Sequence, residues 1–87
     1  EKYPLQVDES LLNNLGYVLL DANLFDDAIA AFKLNADKYP QSSNAYDGLA
    51  ESYLKSGNKG LAKKNYERSL ELNPKNTNAV EQLKKLK

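Results

Sequence analysis

The chain contains two copies of one pattern, placed one after the other. Residues 9–42 align with residues 43–76 without a gap, and Pro40 and Pro74 fall at equivalent positions. The other identical pairs are Leu15 with Leu49, Leu20 with Leu54, and Ala28 with Ala62. A period of about 20–50 residues is typical of proteins built from stacked units, because one such unit cannot cover its own apolar face. The sequence therefore predicts a row of similar units that share a continuous core.

Each unit has the pattern of a pair of helices. Apolar residues follow helical spacing in the first helix of each unit. They are Leu12, Leu15 and Leu19 in one unit and Tyr46, Leu49 and Tyr53 in the other. Small residues at Gly16, Ala50, Ala28 and Ala62 would let the helices approach closely, with Phe32 and Tyr66 filling the space one turn further on. Each helix pair is therefore expected to be amphipathic.

The residues between the helices agree with this interpretation. We expect Asp8 to cap the first helix of one unit, and Ser42 or Ser43 that of the other. Asn23 and Gly57 are expected in the left-handed conformation that often follows a helix. Pro40 and Pro74 end the second helices, because proline cannot continue a helix.

The spacing resembles the tetratricopeptide repeat (TPR), which combines bulky, small and aromatic residues and a proline at set offsets. In residues 43–76 these positions hold Tyr46, Leu49, Ala50, Tyr53, Ala62, Tyr66 and Pro74. In residues 9–42 they hold Leu12, Leu15, Gly16, Leu19, Ala28, Phe32 and Pro40. The resemblance implies an all-α fold, an α-solenoid of two TPR helical hairpins plus a C-terminal capping helix, with five helices in a right-handed superhelical stack.

The same resemblance divides the chain into segments. Residues 1–8 would be an N-terminal segment that ends an upstream part, since Lys2-Tyr3-Pro4 repeats Lys38-Tyr39-Pro40. Residues 9–42 and 43–76 would be the two repeats. Residues 77–87 would form the capping helix, with Val80, Leu83 and Leu86 as the candidates for burial.

The second repeat departs from the first in its second helix. Lys59 and Lys63 stand where the first repeat has Phe25 and Ile29. Leu61 could compensate for the absence of apolar side chains at these two positions. Two interpretations remain open for the lysines: a solvated face, or a basic patch that includes Lys64.

Composition argues against chemistry in these 87 residues. The chain has no Cys and no His, which removes the usual nucleophile–base pairs and most metal-ligand patterns. We therefore expect no enzymatic activity, no cofactor and no metal site. The longest apolar run, Val18-Leu19-Leu20, is far too short for a membrane span. The lack of Met indicates a fragment of a longer polypeptide.

Charge is balanced overall but divided between the two halves. Residues 1–42 carry three basic and seven acidic residues, a net charge of −4, and residues 43–87 carry nine basic and five acidic residues, a net charge of +4. This asymmetry is compatible with complementary packing of the repeats, or with docking of the basic end on an acidic surface or on another copy. The neutral total does not favour nucleic acid as a partner.

By resemblance to TPR proteins, the first helices line a concave groove that binds peptides. The groove residues would be Asn13, Tyr17, Leu20, Asp21, Asn44, Asp47, Glu51, Leu54, Lys55, Glu81 and Lys85, with Ser10 and Asn78 beside them. Chaperone adaptors of the family grip a peptide's terminal carboxylate with Lys and Asn. Here Asn13 and Asp47 replace the lysines, and Tyr17 and Glu51 replace the asparagines. The sequence predicts a mildly acidic groove, suited to a neutral or basic ligand, unless these are plain solvated residues.

Three further stretches resemble the repeat tail of bacterial secreted hydrolases, such as α/β-hydrolase esterases and serine hydrolases related to β-lactamases. They are residues 14–17, residues 32–35 with Tyr39-Pro40, and residues 45–54. The favoured function is a protein-interaction module of a larger bacterial protein that binds a peptide or another domain of its own chain. The alternative is a structural or dimerising C-terminal appendage of a hydrolase. The compartment would be periplasmic or extracellular if the hydrolase resemblance holds, and cytoplasmic otherwise.

Overall fold

The computed structural model describes residues 8–86, and these residues form five α-helices and no strand. The helices are α1 (Glu9–Asp21), α2 (Phe25–Lys38), α3 (Ser43–Lys55), α4 (Lys59–Leu72) and α5 (Thr77–Lys85). The predicted all-α solenoid of two hairpins and a closing helix is confirmed. Of the N-terminal segment predicted for residues 1–8, residues 1–7 lie outside the described residues, as does Lys87.

The helix bounds follow the period of the sequence. α1, α3 and α5 begin at Glu9, Ser43 and Thr77, which are equivalent positions of successive repeats, and α2 and α4 also begin at equivalent positions. Each first helix has a side-chain cap at the preceding residue. Asp8, Ser42 and Asn76 accept the backbone N–H of the residue three positions on, at 2.9, 3.1 and 3.1 Å. The caps predicted at Asp8 and Ser42 are therefore present, and Asn76 extends the series to α5.

The turns inside the hairpins use the predicted left-handed residues. Asn23 has φ 64° after α1, and Gly57 has φ 94° after α3. These conformations suit an asparagine and a glycine and let the chain reverse within a few residues. α1 then packs on α2, α3 packs on both α2 and α4, and α5 packs on α4. The result is an elongated stack of 50 × 27 × 17 Å.

The first core cluster centres on Phe32, which is fully buried. Its ring lies between two glycines on different helices. A Cβ atom placed on Gly16 of α1 would lie 2.5 Å from this ring, and one placed on Gly48 of α3 would also collide with it. Tyr17 meets the ring edge-on, with the centroids 5.0 Å apart. The two glycines therefore create the space that Phe32 occupies.

The second cluster also has an aromatic residue at its centre, but the buried residues around it are alanines. Ala62 and Tyr66 of α4 are buried with Ala50 of α3 and Ala79 of α5. The burial predicted for Ala28 and Ala62 is confirmed, since both are 0% exposed. In α5, Leu83 and Leu86 lie half-buried against this cluster. Val80 is also half-buried, whereas Ala79 is the buried residue of α5.

In each hairpin, a hydrogen bond at equivalent positions joins the C-terminal half of the second helix to the first residue of the first helix. The Asn35 amide donates to the backbone oxygen of Glu9 at 3.3 Å, and the Ser69 hydroxyl donates to that of Ser43 at 2.8 Å. Both side chains are completely buried. These contacts satisfy the side-chain donors of Asn35 and Ser69, which would otherwise lose hydrogen bonds on burial.

Two expectations about apolar residues are wrong. Leu61 is 38% exposed and therefore does not compensate for Lys59 and Lys63, which are both exposed. The helical spacing predicts Leu15 in the core, but it is 45% exposed, whereas the equivalent Leu49 is 4% exposed. The reason is that α2 covers Leu49, whereas among residues 8–86 no helix precedes α1 to cover Leu15.

Within the described part of the chain, every helix falls short of the length and apolar character that crossing a bilayer requires.

Candidate binding groove

The first helices of the hairpins lie side by side and present one continuous surface. α1 contacts α3 directly. α3 is joined to α5 by Asp47, whose carboxylate accepts hydrogen bonds from the Asn78 amide at 3.2 Å and from the Asn76 amide at 3.4 Å. We call this surface of α1, α3 and α5 the groove.

Acidic and phenolic groups meet at the centre of the groove. Burial, followed by the nearby charges of Asp47 and Glu51, raises the pKa of the Tyr17 phenol. The pKa of Tyr66 on α4 is raised by burial and by the same two carboxylates, and Tyr66 and Glu51 line one depression. The four side chains therefore form one cluster, although they come from three helices.

The negative charges of Asp47 and Glu51 are only partly balanced by the groups around them. Burial raises the pKa of Asp47, and the hydrogen bonds from Asn76 and Asn78 only partly oppose this effect. Burial also raises the pKa of Glu51, as do the charges of Asp47 and Asp21, while Lys55 lowers it. The Lys55 ammonium lies 3.9 Å from the Glu51 carboxylate, at the limit of an ion pair. The centre of the groove is consequently a region of negative potential.

A depression of about 240 Å³ adjoins this cluster on the α5 side. Its lining combines an apolar side chain with charged and amide groups. The lining residues are Glu51, Leu54, Lys55, Tyr66, Asn78 and Gln82. Such a mixture provides both hydrogen-bonding groups and an apolar contact for an extended ligand.

A second depression of about 230 Å³ lies toward the beginning of α1 and is entirely polar. It is lined by Glu9, Ser10, Asn13, Asn14 and Asn44. The Asn13 amide oxygen is buried, and within residues 8–86 no hydrogen-bond donor reaches it. Asn13 occupies the position equivalent to Asp47, so this position of the groove is neutral on α1 and acidic on α3.

The structure brings most of the predicted groove residues together. Tyr17, Asp47 and Glu51 form the central cluster, with Asp21 near enough to act on Glu51. Leu54 and Lys55 line the first depression, and Asn13 and Asn44 line the second. Glu81 and Lys85 are exposed on α5 but line neither depression.

Leu20 is wrong as a groove residue, because it is 1% exposed and belongs to the core cluster around Phe32. Leu54, the equivalent residue, stays half-buried. α1 and α3 both have 13 residues, whereas α5 has 9 and ends at Lys85, the position equivalent to Glu51. The shorter closing helix therefore covers Leu54 only in part.

Sequence reasoning misses two contributors to the groove. The repeat pattern predicts Tyr66 only as a residue that fills the hairpin, yet it lines the first depression beside Glu51. Gln82 gives no signal, because the alignment of α5 with the other first helices depends on apolar residues. A signal for Tyr66 exists in the sequence, since tyrosine replaces phenylalanine at this position and a buried hydroxyl needs a polar neighbour.

The five helices of the described residues form a helical-repeat solenoid. Residues 43–76 match the family model for the tetratricopeptide repeat, and the chain has the fold of a TPR domain. A solved structure described as the first TPR of Spaghetti (RPAP3) bound to the HSP90 peptide SRMEEVD is similar, with a TM-score of 0.86 and 26% sequence identity. The match covers 91% of this chain and 63% of that one, so this chain spans less than two thirds of the neighbour's length. No curated protein matches the chain by sequence.

Proposed function

We propose that this chain is a non-catalytic protein–protein interaction module that binds a basic or neutral peptide, or a neighbouring domain, in its acidic groove. The observation that carries the proposal is the cluster of Asp47 and Glu51 beside the phenols of Tyr17 and Tyr66. Burial raises the pKa of both carboxyl groups, so their charges are held at a cost to the fold. A cationic side chain placed between them would offset part of that cost.

The ligand of the structural neighbour supports the interaction role and gives a useful contrast. That peptide, SRMEEVD, is acidic and belongs to the neighbour's complex. The positions at which chaperone adaptors carry lysines hold Asn13 and Asp47 here, and Asp47 would repel an acidic peptide. The charge of the groove therefore favours the opposite class of ligand.

A binding titration with two matched peptides tests the proposal. One peptide is SRMEEVD, and the other is the same peptide with both Glu and the Asp replaced by Lys and with an amidated C terminus. Fluorescence anisotropy at low salt should show binding of the basic peptide at least about tenfold tighter than the acidic one, a difference of about 1.4 kcal/mol. Added salt should weaken this binding, since exposed charges are screened.

Paired variants locate the binding surface. Asp47→Asn together with Glu51→Gln should weaken binding of the basic peptide about tenfold. Asp37→Asn together with Glu67→Gln removes the same charge from exposed positions on α2 and α4 and should leave the affinity unchanged. Equal losses in the two pairs, or tighter binding of the acidic peptide, would refute the proposed groove.

A second candidate function is that of a structural or dimerising appendage, including the tail of a secreted hydrolase. It is supported by the exposed apolar side chains of Leu11, Leu15 and Val18 on α1. Concentration-dependent self-association that Tyr17→Ala leaves unchanged, measured by sedimentation, would favour this alternative over the groove.

A further inference from the structure

The outer face of α1 carries three exposed apolar side chains. Leu11 and Leu15 are each 45% exposed, and Val18 is 63% exposed. Their spacing of four and then three residues places them on one side of the helix. We call this set the α1 face.

The same positions are buried in the next repeat. Ala45, Leu49 and Ser52 of α3 are the equivalents of Leu11, Leu15 and Val18, and they are 0, 4 and 0% exposed. Ala45 and Leu49 share a core cluster with Ala28, Phe32 and Ala36 of α2. This side of α3 is therefore the side that receives the second helix of the preceding hairpin.

The closing helix repeats the contact. Ala79, Leu83 and Leu86 occupy the equivalent positions on α5, and they pack in the cluster that contains Ala62 and Tyr66 of α4. In both cases a second helix covers this face of the following first helix. The α1 face has the same register and carries apolar side chains at all three positions, which suits it to the same kind of contact.

We propose that the α1 face is the docking site for the second helix of a further hairpin, located immediately upstream in the same polypeptide. Lys2-Tyr3-Pro4 repeats Lys38-Tyr39-Pro40, the residues that lead from the end of α2 toward α3. The sequence before α1 thus matches the sequence at the end of α2, with two additional residues before the next helix begins.

A second copy of the chain fits the α1 face less well. The sides of α2 and α4 that would match it are already covered by α3 and α5. Two α1 faces packed against each other would bring together two acidic halves, each with a net charge of −4. Like charges oppose such a symmetric contact.

An extended chain tests the proposal. A copy of residues 24–42 placed directly before Glu9, in exchange for residues 1–8, supplies an α2-like helix with its own connection. Leu15→Ala is then introduced into the parent and into the extended chain, and thermal unfolding of all four proteins is followed by circular dichroism. Leu15→Ala should lower the midpoint by under about 3 °C in the parent and by roughly 10 °C or more in the extended chain.

The matched control is Leu49→Ala, which should lower the midpoint by a similar, large amount in both backgrounds because α2 covers Leu49 in each. An equal effect of Leu15→Ala in the two backgrounds would overturn the proposal. So would a parent chain that dimerises and becomes monomeric on Leu15→Glu in sedimentation experiments, since the occupant would then be a second copy.

Discussion

Replacing Gly48 with alanine should destabilise the protein, although alanine is the better helix former. Gly48 lies inside α3, where this exchange ordinarily contributes about 1 kcal/mol of stability. Here the added Cβ atom would collide with the ring of Phe32. That ring is 0% exposed, has Gly16 against it from α1, and touches Tyr17 edge-on. It cannot retreat without moving α1 away from α3.

The magnitude follows from two opposing effects. Overpacking of a filled core costs about 1–3 kcal/mol, and a rigid ring held by two helices places this site toward the upper end. After the gain in helix propensity, we expect a net loss of about 1–2 kcal/mol in the free energy of unfolding. For a domain of this size that loss lowers the melting midpoint by roughly 5–15 °C.

Two comparisons make the assay specific. Gly60→Ala lies near the start of α4, where the added atom would have only the Asn58 side chain at 3.8 Å, and it should be neutral or slightly stabilising. In a Phe32→Leu background the ring is absent, so Gly48→Ala should lose most of its cost. The free energy of unfolding in urea is measured for the parent, the three single variants and the Gly48/Phe32 double variant. The coupling energy between positions 48 and 32 follows from these values. If Gly48→Ala is as stable as Gly60→Ala, the Phe32 ring does not fill the space between α1 and α3.

Two further predictions concern the second repeat. Ala62→Leu should overfill the α3–α4 contact and cost about 1–3 kcal/mol in urea unfolding, whereas Ala30→Leu on the exposed side of α2 should cost under about 0.5 kcal/mol. Because burial raises the pKa of Asp47, the folded state holds its proton more tightly than the unfolded chain, so this group's contribution to stability falls as pH rises through the raised pKa. Asp47→Asn should therefore be more stable than the parent at about pH 7 and lose that advantage at about pH 3. Asp37→Asn is the matched charge control, and an advantage of Asp47→Asn that persists at low pH would contradict the reasoning.

The features that the sequence predicts well are those that one repeat specifies by itself. The caps at Asp8 and Ser42, the left-handed residues Asn23 and Gly57, and the buried alanines depend on contacts within a few residues or within one hairpin. Each of these features also occurs twice at the same spacing. Such local and repeated signals are strong, since chance agreement at equivalent positions is rare.

The errors concern positions whose surroundings differ between repeats. Leu20 and Leu54 are identical in sequence, yet one is enclosed and the other lines a depression, because α5 is shorter than α3. Leu15 and Leu49 are also identical, and among residues 8–86 they differ because only Leu49 has a second helix before it. The alignment of repeats predicts equivalent burial, but burial depends on the neighbours of each repeat.

The need for a glycine at position 48 escapes sequence reasoning for a related reason. Its equivalent in the first repeat is Asn14, which is exposed, so the alignment gives no signal for a small residue there. The need arises only between repeats, where Phe32 of the first hairpin reaches α3 of the second.

The half-buried carboxylates of the groove fit the cationic partner proposed above. Core stability would favour apolar or neutral side chains at Asp47 and Glu51, because burial raises the pKa of both groups. Within residues 8–86 the ion pairs join Lys55 to Glu51, at 3.9 Å, and Arg68 to Glu71, so Asp47 receives only amide hydrogen bonds. Charges that weaken the isolated fold while converging on one surface are expected where binding energy depends on them. A peptide ammonium or guanidinium would complete this cluster, and its binding should therefore raise the stability of the parent more than that of the Asp47→Asn variant.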